Sequence, residues 1–345
     1  MEMDYPIDFV VTWLDSSDPI WQKEYNKYKG INIEGDASAS RFRDWDMFRY
    51  WFRAVEQYAP WVNKVYLITN GTFPKWINEN HPKLVLVKHT DYIDRKFLPT
   101  FNSCTIELNM HKIEGLSEHF VYFNDDCYLN GSISPEYYFK KGLPCDCNEE
   151  TFFNVAKYNP VDRFNIFISM FVDISVLNRH FNRKKCVSKS IRRWMGPHLS
   201  FPGLITSLFM TLGKKTRFVG FNKKHVEQPF LKSTFEEVWE KEEEMLKQSC
   251  TRFREDVILN PYIFRYWQFA SNRFHPTNSK SIRKHKISEK YMPNILADMK
   301  NEKVKSLCLN DTPFISDQQF EYLKKMLQNA FEEKFPTKSS YEIIN

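Results

Sequence analysis

The sequence predicts an α/β fold in which a parallel sheet carries helices on both faces. Short runs of β-branched, aliphatic and aromatic residues, typical of buried strands, occur at 7–14, 64–69, 84–88 and 119–123. Between these runs, apolar residues recur at helical spacing, most clearly at 48–58. The 345 residues suffice for one large α/β domain or two smaller ones with a substantial core.

Composition narrows the classes of protein that remain. The net charge is +6, aromatic residues are abundant (30 Phe, 17 Tyr and 9 Trp), and no nucleic-acid-binding motif is present. The seven cysteines are scattered, which favours free thiols in a reducing compartment. The start of the chain does not resemble a signal peptide and no apolar run approaches a membrane span, so we expect a cytoplasmic protein, soluble or peripheral.

The first strand ends in the polar turn Asp15-Ser-Ser-Asp18. Such a turn caps the following helix or faces a ligand, and the sequence leaves both interpretations open for Asp18. In the helix that follows, Arg49 and Arg53 are four residues apart and share a face. A solvated charged face is the default explanation for this pair, and substrate binding is the alternative.

Turn and loop residues separate the next elements. Asn70-Gly71 closes the second strand, and we expect a short helix at 73–80 before the third strand. The loop that contains Asn102 leads into a helix predicted over 104–115. His111 on this helix lies one turn from a glutamate, so the two could act together, although a lone histidine on a helix is more often structural.

The fourth strand, at 119–123, leads directly into Asn124-Asp125-Asp126. In open α/β sheets, ligands bind at the carboxyl ends of the strands. Two adjacent carboxylates at this edge are well placed to hold a divalent cation on a phosphate. Because Asn and Asp are also common turn residues, a simple turn is the alternative.

A basic window extends from 174 to 226, without any Asp or Glu. It holds twelve cations: Arg179, Arg183, Lys184, Lys185, Lys189, Arg192, Arg193, Lys214, Lys215, Arg217, Lys223 and Lys224. Basic clusters are usually solvated faces, but a window of this length favours a polyanionic partner. A phosphodiester polymer and an anionic membrane surface both remain open as that partner.

The last part of the chain contains further elements. Helices are predicted at 235–248, 260–271 and 317–331, whereas 272–304 is polar and basic and is predicted to be a loop or flexible segment. A short strand at 306–309 ends in Asn310-Asp311. The site chemistry would need this pair to lie near the polar residues that follow the fourth strand.

Four stretches of the chain resemble the conserved regions of the Stealth proteins. The first is Asp8 to Asp18; the second comprises Arg41-Phe-Arg-Asp44, Thr69-Asn-Gly71, Leu98-Pro-Thr-Phe101 and Phe123-Asn-Asp-Asp126; the third comprises His225, Lys232-Ser and Arg252-Phe-Arg254; the fourth begins at Ser306. This family includes bacterial capsular polysaccharide phosphotransferases and the catalytic part of the lysosomal-enzyme N-acetylglucosamine-1-phosphotransferase. The resemblance implies a glycosyltransferase-like, nucleotide-binding core and sugar-1-phosphate transfer with a divalent cation.

The resemblance also implies roles for residues at matching positions. His225 is the implied general base and Arg254 the clamp on the phosphoryl group, with Asp126 and Asp18 as further catalytic residues. The implied ligands of Mg²⁺ or Mn²⁺ are Asp125, Asp126 and Asp311. Together with residues singled out above, the expected substrate-binding set is Arg41, Asp44, Arg49, Asn70, Asn102, His111, Asn124, Lys232, Arg252 and Asn310.

Because the family's active site needs all four regions, we expect a discontinuous core. Residues 1–173 and 300–345 would bind the nucleotide-sugar, and 174–299 would form a basic, mostly helical region on the acceptor side. In the expected reaction, an acceptor hydroxyl attacks the β-phosphorus of a UDP-N-acetylhexosamine, UMP leaves, and a phosphodiester joins a growing anionic capsular polysaccharide. The alternatives are a metal-dependent glycosyltransferase that releases UDP and a non-catalytic binder of anionic polysaccharide. The inner-membrane surface and capsule assembly proteins are further expected partners.

Overall fold

The computed structural model describes residues 4–29, 44–152, 166–222, 225–253, 258–311 and 316–343. The strands in these ranges are β1 (Ile7–Thr12), β2 (Val65–Thr69), β3 (Leu84–Lys88), β4 (His119–Phe123), β5 (Cys127–Leu129), β6 (Phe139–Lys140), β7 (Leu143–Asp146), β8 (Gln228–Leu231), β9 (His275–Pro276), β10 (Ile282–Lys286) and β11 (Ser306–Asn310). The α-helices are α1 (Pro19–Tyr28), α2 (Phe48–Tyr58), α3 (His89–Tyr92), α4 (Ser103–Leu108), α5 (Ile166–His180), α6 (Arg183–Lys189), α7 (Ile191–Trp194), α8 (Phe201–Leu212), α9 (Lys232–Ser249), α10 (Tyr262–Ala270), α11 (Met292–Lys300) and α12 (Asp317–Lys334).

The main sheet has five strands in the order β3-β2-β1-β4-β8. The pairs β1-β2, β2-β3 and β1-β4 are parallel, and β8 is an antiparallel edge strand beside β4. The chain steps from β1 outward to β3 and then returns to the other side of β1 with β4. The carboxyl ends of β1 and β4 therefore flank the point at which the strand order reverses, which is where open α/β sheets bind ligands.

Helices cover both faces of this sheet, as the sequence predicts. Because side chains alternate along a strand, Phe9 and Val11 of β1 join one core and Val10 joins the other. The first core is completed by residues of α2, α11 and α12, and the second by residues of α9 and α10. The predicted α/β class with a parallel sheet is thus confirmed.

A second sheet, ordered β10-β11-β5, joins the end of the chain to the end of β4. Strand β5 begins one residue after Asp126 and pairs antiparallel with β11, with Cys127 opposite Cys308. This pairing brings the carboxyl end of β11 to the polar turn after β4. A third, small sheet has the strand order β6-β7-β9.

Two predicted elements are wrong. Residues 73–80 form no helix, because their backbone pairs with the end of the chain: Asn78 N donates to Tyr341 O at 2.7 Å, and Ile343 N donates to Trp76 O at 2.8 Å. The segment 272–304, predicted to be a loop, contains β9, β10 and α11. The segment is polar because β10 lies at the edge of the second sheet. There, Nε2 of His285 lies 2.8 Å from the carboxylate of Asp298 on α11.

A third element is shorter than predicted. The helix expected over 104–115 ends as an α-helix at Leu108 and continues as a separate 3-10 turn, Met110–Lys112. The buried side chain of Asn109 marks the break, and it donates to Thr105 O at 2.8 Å. His111 therefore lies in the 3-10 turn and not in α4.

The division into a core and an acceptor-side region stays a prediction. The structure adds that 174–299 supplies β8 to the main sheet and β10 to the second sheet, alongside its helices. All seven cysteines are free, as predicted. Within the described ranges, no helix combines the length and the apolar character needed to cross a membrane.

Candidate active site

The polar residues after β4 form a turn at the switch point of the main sheet. Cys127 N donates to Asn124 O at 3.1 Å, so the backbone of Asn124, Asp125 and Asp126 connects β4 to β5. The turn interpretation is therefore correct for the backbone. It does not exclude a functional site, because both carboxylates remain at the carboxyl edge of the sheet.

Asp126 is the residue on which distant parts of the chain converge. Its Oδ2 lies 3.2 Å from Nε2 of His225 and accepts a hydrogen bond from Nδ2 of Asn310 at 2.7 Å. The thiol of Cys308 approaches the same oxygen at 3.6 Å, and that of Cys127 approaches Oδ1 at 3.3 Å. The structure therefore has the convergence of Asp126 with Asn310 that the site chemistry needs and that the sequence does not show.

His225 reaches Asp126 because β8 runs antiparallel to β4. Gln228, at the start of β8, lies opposite Tyr122 near the end of β4, so the residues just before β8 stand at the carboxyl edge. When the Nε2 hydrogen of His225 is donated to Asp126, Nδ1 carries the lone pair and can accept a proton. The geometry thus gives an imidazole oriented by a carboxylate, as a general base requires.

The two carboxylates of the turn titrate differently. Desolvation alone would raise the pKa of Asp126, but hydrogen bonding and charge from His225 outweigh it and hold the pKa below its ordinary value. The carboxyl of Asp125 keeps contact with solvent at the mouth of the site. Its surroundings nevertheless desolvate it and Asp126 repels its charge, which together raise its pKa to about 7. Desolvation, reinforced by Asp46 and Asp15, likewise raises the pKa of Asp44.

This accumulation of carboxylates suits a divalent cation. Among the described residues, ligand atoms of Asp126, His225 and Cys308 lie within 4.8 Å of one another. A bond with Cys127 lowers the pKa of Cys308, but desolvation and the charge of Asp126 outweigh it, so the thiol is kept protonated and is a poor ligand. The carboxylates of Asp125 and Asp126 are hard oxygen donors that fit Mg²⁺ or Mn²⁺. Asp311, the third predicted ligand, follows β11 at the same edge but is outside that cluster.

Several other predicted site residues also lie at the ends of strands. Asn124 accepts a hydrogen bond from the hydroxyl of Tyr122 at 2.9 Å. Asn70 directly follows β2, and its buried Oδ1 has no hydrogen-bond partner in the described part of the chain. An unpartnered buried oxygen is rare and leaves Asn70 available to a ligand.

Asp18 is held in a structural arrangement. It caps α1 by accepting from Ile20 N at 2.9 Å through Oδ1, while Oδ2 accepts from the Thr72 hydroxyl at 2.5 Å. The Thr72 bond is the main reason why the pKa of Asp18 is lowered. Of the two interpretations left open for Asp18, the structure favours the helix cap.

Asn102 and Arg252 fasten two loops together. Asn102 Nδ2 donates to Thr251 Oγ1 at 3.0 Å, and its Oδ1 caps α4. The guanidinium of Arg252 donates to Pro99 O at 3.0 Å and to Leu98 O at 3.2 Å. Both side chains therefore position loops, and the implied phosphoryl clamp Arg254 follows them directly, outside the described residues.

Lys232 and His111 lie at the wrong edge of the sheet for the predicted roles. Because β8 is antiparallel, its last residue pairs with His119 at the start of β4, and Lys232 N donates to Glu118 O at 2.8 Å. His111 packs against the rings of Phe235 and Trp239 on α9, and desolvation lowers its pKa to about 3. The structure therefore brings neither residue to Asp126, and their roles in substrate binding stay predictions. For Lys232 the reason is the antiparallel direction of β8, which the sequence does not reveal.

The two arginines of α2, Arg49 and Arg53, differ in burial and in their partners. Arg53 is buried and forms a bidentate pair with Glu342, at 2.8 and 3.0 Å, so it is not part of a solvated face. Arg49 is partly exposed and lies 3.7 Å from the carboxylate of Asp46. Arg41, the remaining predicted substrate residue, lies outside the described residues.

Cys308 is the residue at the centre of the site that the sequence analysis missed. It lies in β11 two residues before Asn310, and the period of a strand places both on one face. This spacing was the available signal. It could be interpreted only once Asn310 was known to face Asp126.

Comparisons with known proteins agree with the resemblance seen in the motifs. A family model for conserved region 2 of the Stealth proteins matches residues 41–145. The capsular polysaccharide phosphotransferase WcwK of Streptococcus pneumoniae is 37% identical over 350 residues, covering 97% of this chain and 98% of the relative. The receptor polysaccharide phosphotransferase WefC of Streptococcus oralis is 36% identical over 349 residues, covering 98% and 99%. The exopolysaccharide phosphotransferase cps2G of Lactiplantibacillus plantarum is 35% identical over 340 residues, covering 98% and 96%.

Solved structures are much more distant. A crystal structure of the galactosyltransferase LgtC with donor and acceptor sugar analogues superposes with a TM-score of 0.39 at 9% identity, over 96% of this chain and 98% of that one. So loose a likeness carries no argument about the reaction. The polysaccharide phosphotransferases are far more similar, with more than a third of positions identical over nearly the whole chain. Together with the family model, they show that the chain belongs to the Stealth family.

Proposed function

We propose that this protein is a sugar-1-phosphate transferase that moves a hexosamine-1-phosphate from a UDP-sugar to a hydroxyl of a growing capsular polysaccharide. The observation that carries the proposal is the meeting of His225 and Asn310 on Oδ2 of Asp126, at the switch point of the sheet. The names of the full-length relatives support phosphotransfer in polysaccharide synthesis. The donor sugar and the leaving nucleotide are part of the proposal.

In the proposed step, His225 acts on the acceptor. Its Nδ1 takes the proton of the acceptor hydroxyl while Nε2 stays bonded to Asp126, whose negative charge stabilises the imidazolium that forms. The acceptor oxygen forms a bond to the β-phosphorus of the donor. The bond between that phosphorus and the bridging oxygen breaks, and UMP leaves with the electron pair.

The negative charge of the diphosphate requires cationic partners. Asp125 and Asp126 would hold Mg²⁺ or Mn²⁺, with Asp311 nearby at the same edge; a bound cation neutralises charge on the phosphates. Arg254 is the proposed clamp on the transferred group, on the strength of the family resemblance. Asn102 and Arg252 would serve as positioning residues, because they hold the loop at 98–102 against the described residues Thr251 and Arg252, which shortly precede Arg254 in sequence.

The test identifies both products of a single reaction. Purified protein is incubated with UDP-N-acetylglucosamine, Mg²⁺ and an oligosaccharide fragment of the capsule, and the nucleotide released is separated by chromatography. Release of UMP together with a phosphodiester signal in phosphorus NMR is the expected result. UDP as the sole nucleotide product would replace the proposal by ordinary glycosyl transfer, and polysaccharide binding without consumption of donor would replace it by a binding role.

Matched variants separate the site from the remainder of the molecule. His225→Ala should abolish most of the phosphodiester signal, whereas Lys232→Ala, at the opposite edge of the sheet, should retain it. Equal signals from the wild type and His225→Ala would contradict the assigned base.

A further inference from the structure

Helix α8 turns its apolar stripe away from the protein. Six large apolar side chains recur at helical spacing and are all exposed, by 37–77%: Phe201, Leu204, Ile205, Leu208, Phe209 and Leu212. An amphipathic helix of a globular protein normally buries such a stripe against the core. We call this outward stripe the α8 apolar face.

The opposite side of α8 packs closely against the protein, which fixes the rotation of the helix about its axis. Its buried residues are Gly203, Ser207 and Met210, two of them small. The Ser207 hydroxyl donates to Trp194 O at 2.8 Å, and a Cβ on Gly203 would lie 2.5 Å from Cγ of Glu149. The helix is therefore seated closely by its small side, and the α8 apolar face is left without cover in the described structure.

The chain around α8 is strongly cationic. Exposed lysines and arginines on α6, on α7 and after α8 are Lys184, Lys185, Lys189, Arg192, Lys214, Lys215 and Arg217. Three described members of the basic window are not in this group: Arg183 is buried against Glu150, Arg179 pairs with Glu242, and Arg193 is half-buried and donates to Asn272 O. Between 174 and 222, the chain contributes no carboxylate side chain to oppose this charge.

We propose that the α8 apolar face and the exposed cations around it bind the surface of an anionic lipid bilayer, with α8 lying in the plane of the interface. Apolar side chains would enter the boundary between headgroups and acyl chains, while the cations contact anionic headgroups. This mode of binding uses an apolar face together with exposed cations, and both occur between residues 184 and 217.

Charge and chemistry favour the bilayer over the other occupants. A hydrated polyanionic polysaccharide would satisfy the cations but offers no apolar partner for Leu204, Leu208 or Leu212. A second copy of the chain would cover the apolar side chains but would bring the same cations face to face across a two-fold axis, which is repulsive. An anionic bilayer alone matches both parts of the surface.

The test measures binding to vesicles and needs no enzymatic activity, so its outcome is independent of the proposed reaction. Full-length protein is floated with vesicles of phosphatidylcholine containing about 30% phosphatidylglycerol, a composition that supplies the negative surface potential. Binding is expected to these vesicles and to be much weaker to phosphatidylcholine alone. Raising NaCl should weaken it, because the Debye length falls from about 10 Å at 0.1 M to about 3 Å at 1 M.

Paired variants test the two parts of the surface. Phe209→Ser with Leu212→Ser should weaken vesicle binding about tenfold or more, through lost apolar burial. Lys214→Gln with Lys215→Gln should also weaken it by roughly tenfold or more, at roughly fivefold for each cation. The matched controls are Ile20→Ser with Tyr322→Ser, and Lys290→Gln with Lys325→Gln, which alter exposed residues elsewhere and should bind like the wild type.

Three outcomes would overturn the proposal. The first is wild-type protein that does not float with the anionic vesicles, and the second is undiminished binding by the Phe209→Ser, Leu212→Ser variant. The third is protein that ignores vesicles but binds soluble polyphosphate through Lys214 and Lys215, which would assign the surface to a polymer. All the altered side chains are exposed, so each variant is expected to keep its fold. Circular dichroism and thermal unfolding of each variant check this.

Discussion

Asp126→Asn is the substitution from which the proposed chemistry can be judged most directly. The amide is nearly isosteric with the carboxylate, and its carbonyl oxygen can still accept the hydrogen bonds that His225 and Asn310 direct to Oδ2. What disappears is the negative charge opposite the imidazole, which stabilises the protonated histidine during the reaction. We therefore expect the fold to persist and turnover to fall.

The size of the loss follows from the roles that the geometry assigns. General-base assistance contributes about 10²–10⁴-fold, so His225→Ala should lower kcat by that factor. If Asp126 acts only through His225, Asp126→Asn should lower kcat by no larger a factor than His225→Ala does. If Asp126 also holds the cation, its loss should exceed that of His225→Ala.

The double variant distinguishes a unit from two independent residues. Independent contributions of about 10²–10⁴ each would multiply to about 10⁴–10⁸ in the double variant. Residues that act as one unit lose most of their effect with the first substitution, as triads do. We expect the double variant to be within about tenfold of the worse single variant.

The assay is the rate of UMP release at saturating donor, with KM measured separately for donor and acceptor. Asp94→Asn, which alters an exposed carboxylate that pairs with Lys96 at 3.5 Å, serves as the matched control and should have the kcat of the wild type. Multiplicative losses in the double variant would refute the dyad, and a His225→Ala enzyme with undiminished kcat would refute the base.

Four further perturbations test the metal, the buried ion pair and the opposite edge of the sheet. Removing divalent cations with excess chelator should abolish turnover, and adding back Mg²⁺ or Mn²⁺ should restore it; undiminished activity in chelator would remove the cation from the proposal. Arg53→Ala should lower the free energy of unfolding by about 3–5 kcal/mol in urea titrations, since it leaves the buried carboxylate of Glu342 unpaired; Lys96→Ala, which removes only an exposed pair, should change it little. Desolvation alone would raise the pKa of Glu342, but Arg53 outweighs it and the pKa is lowered, so this stabilisation should be present above about pH 4.3 and be lost as the pH falls through the lower folded-state pKa; Glu342→Gln should remove that slope. Lys232→Ala should leave kcat and both KM values within about twofold of the wild type, and a large loss would mean that this edge of the sheet takes part in substrate binding.

The strands of the main sheet could be predicted because their patterns are local. β1, β2, β3 and β4 are short apolar runs, and most of their apolar side chains are buried, as such runs indicate. The failures at 73–80 and 272–304 have a common cause. The first segment pairs with the end of the chain, and the second contains a polar strand stabilised by α11, so partners far away in sequence decide both structures.

The residues of the candidate site likewise differ in how well local sequence predicts their position. Asn124, Asp125 and Asp126 could be located because they directly follow a recognisable buried strand. His225 is preceded by lysines and has no local pattern that places it at a site; only the family resemblance selected it. Lys232 could not be placed from the sequence, because only six residues lie between it and His225, and antiparallel β8 carries the chain from one edge of the sheet to the other within them.

The register between β5 and β11 is the step that joins sequence to chemistry. Cys127 lies opposite Cys308, and Leu309 N donates to Asp126 O at 2.9 Å, which places the amide of Asn310 against the Asp126 carboxylate. Side chains of a strand alternate between its faces, so a slip of one residue would present an apolar side chain in place of Asn310. The buried side chains of Leu307 and Leu309, on the other face of β11, oppose such a slip because it would exchange the apolar and polar faces. Packing of the second sheet therefore fixes the partner of Asp126, and the geometry of the site depends on the hydrophobic core to which Cys127, Leu307 and Leu309 belong.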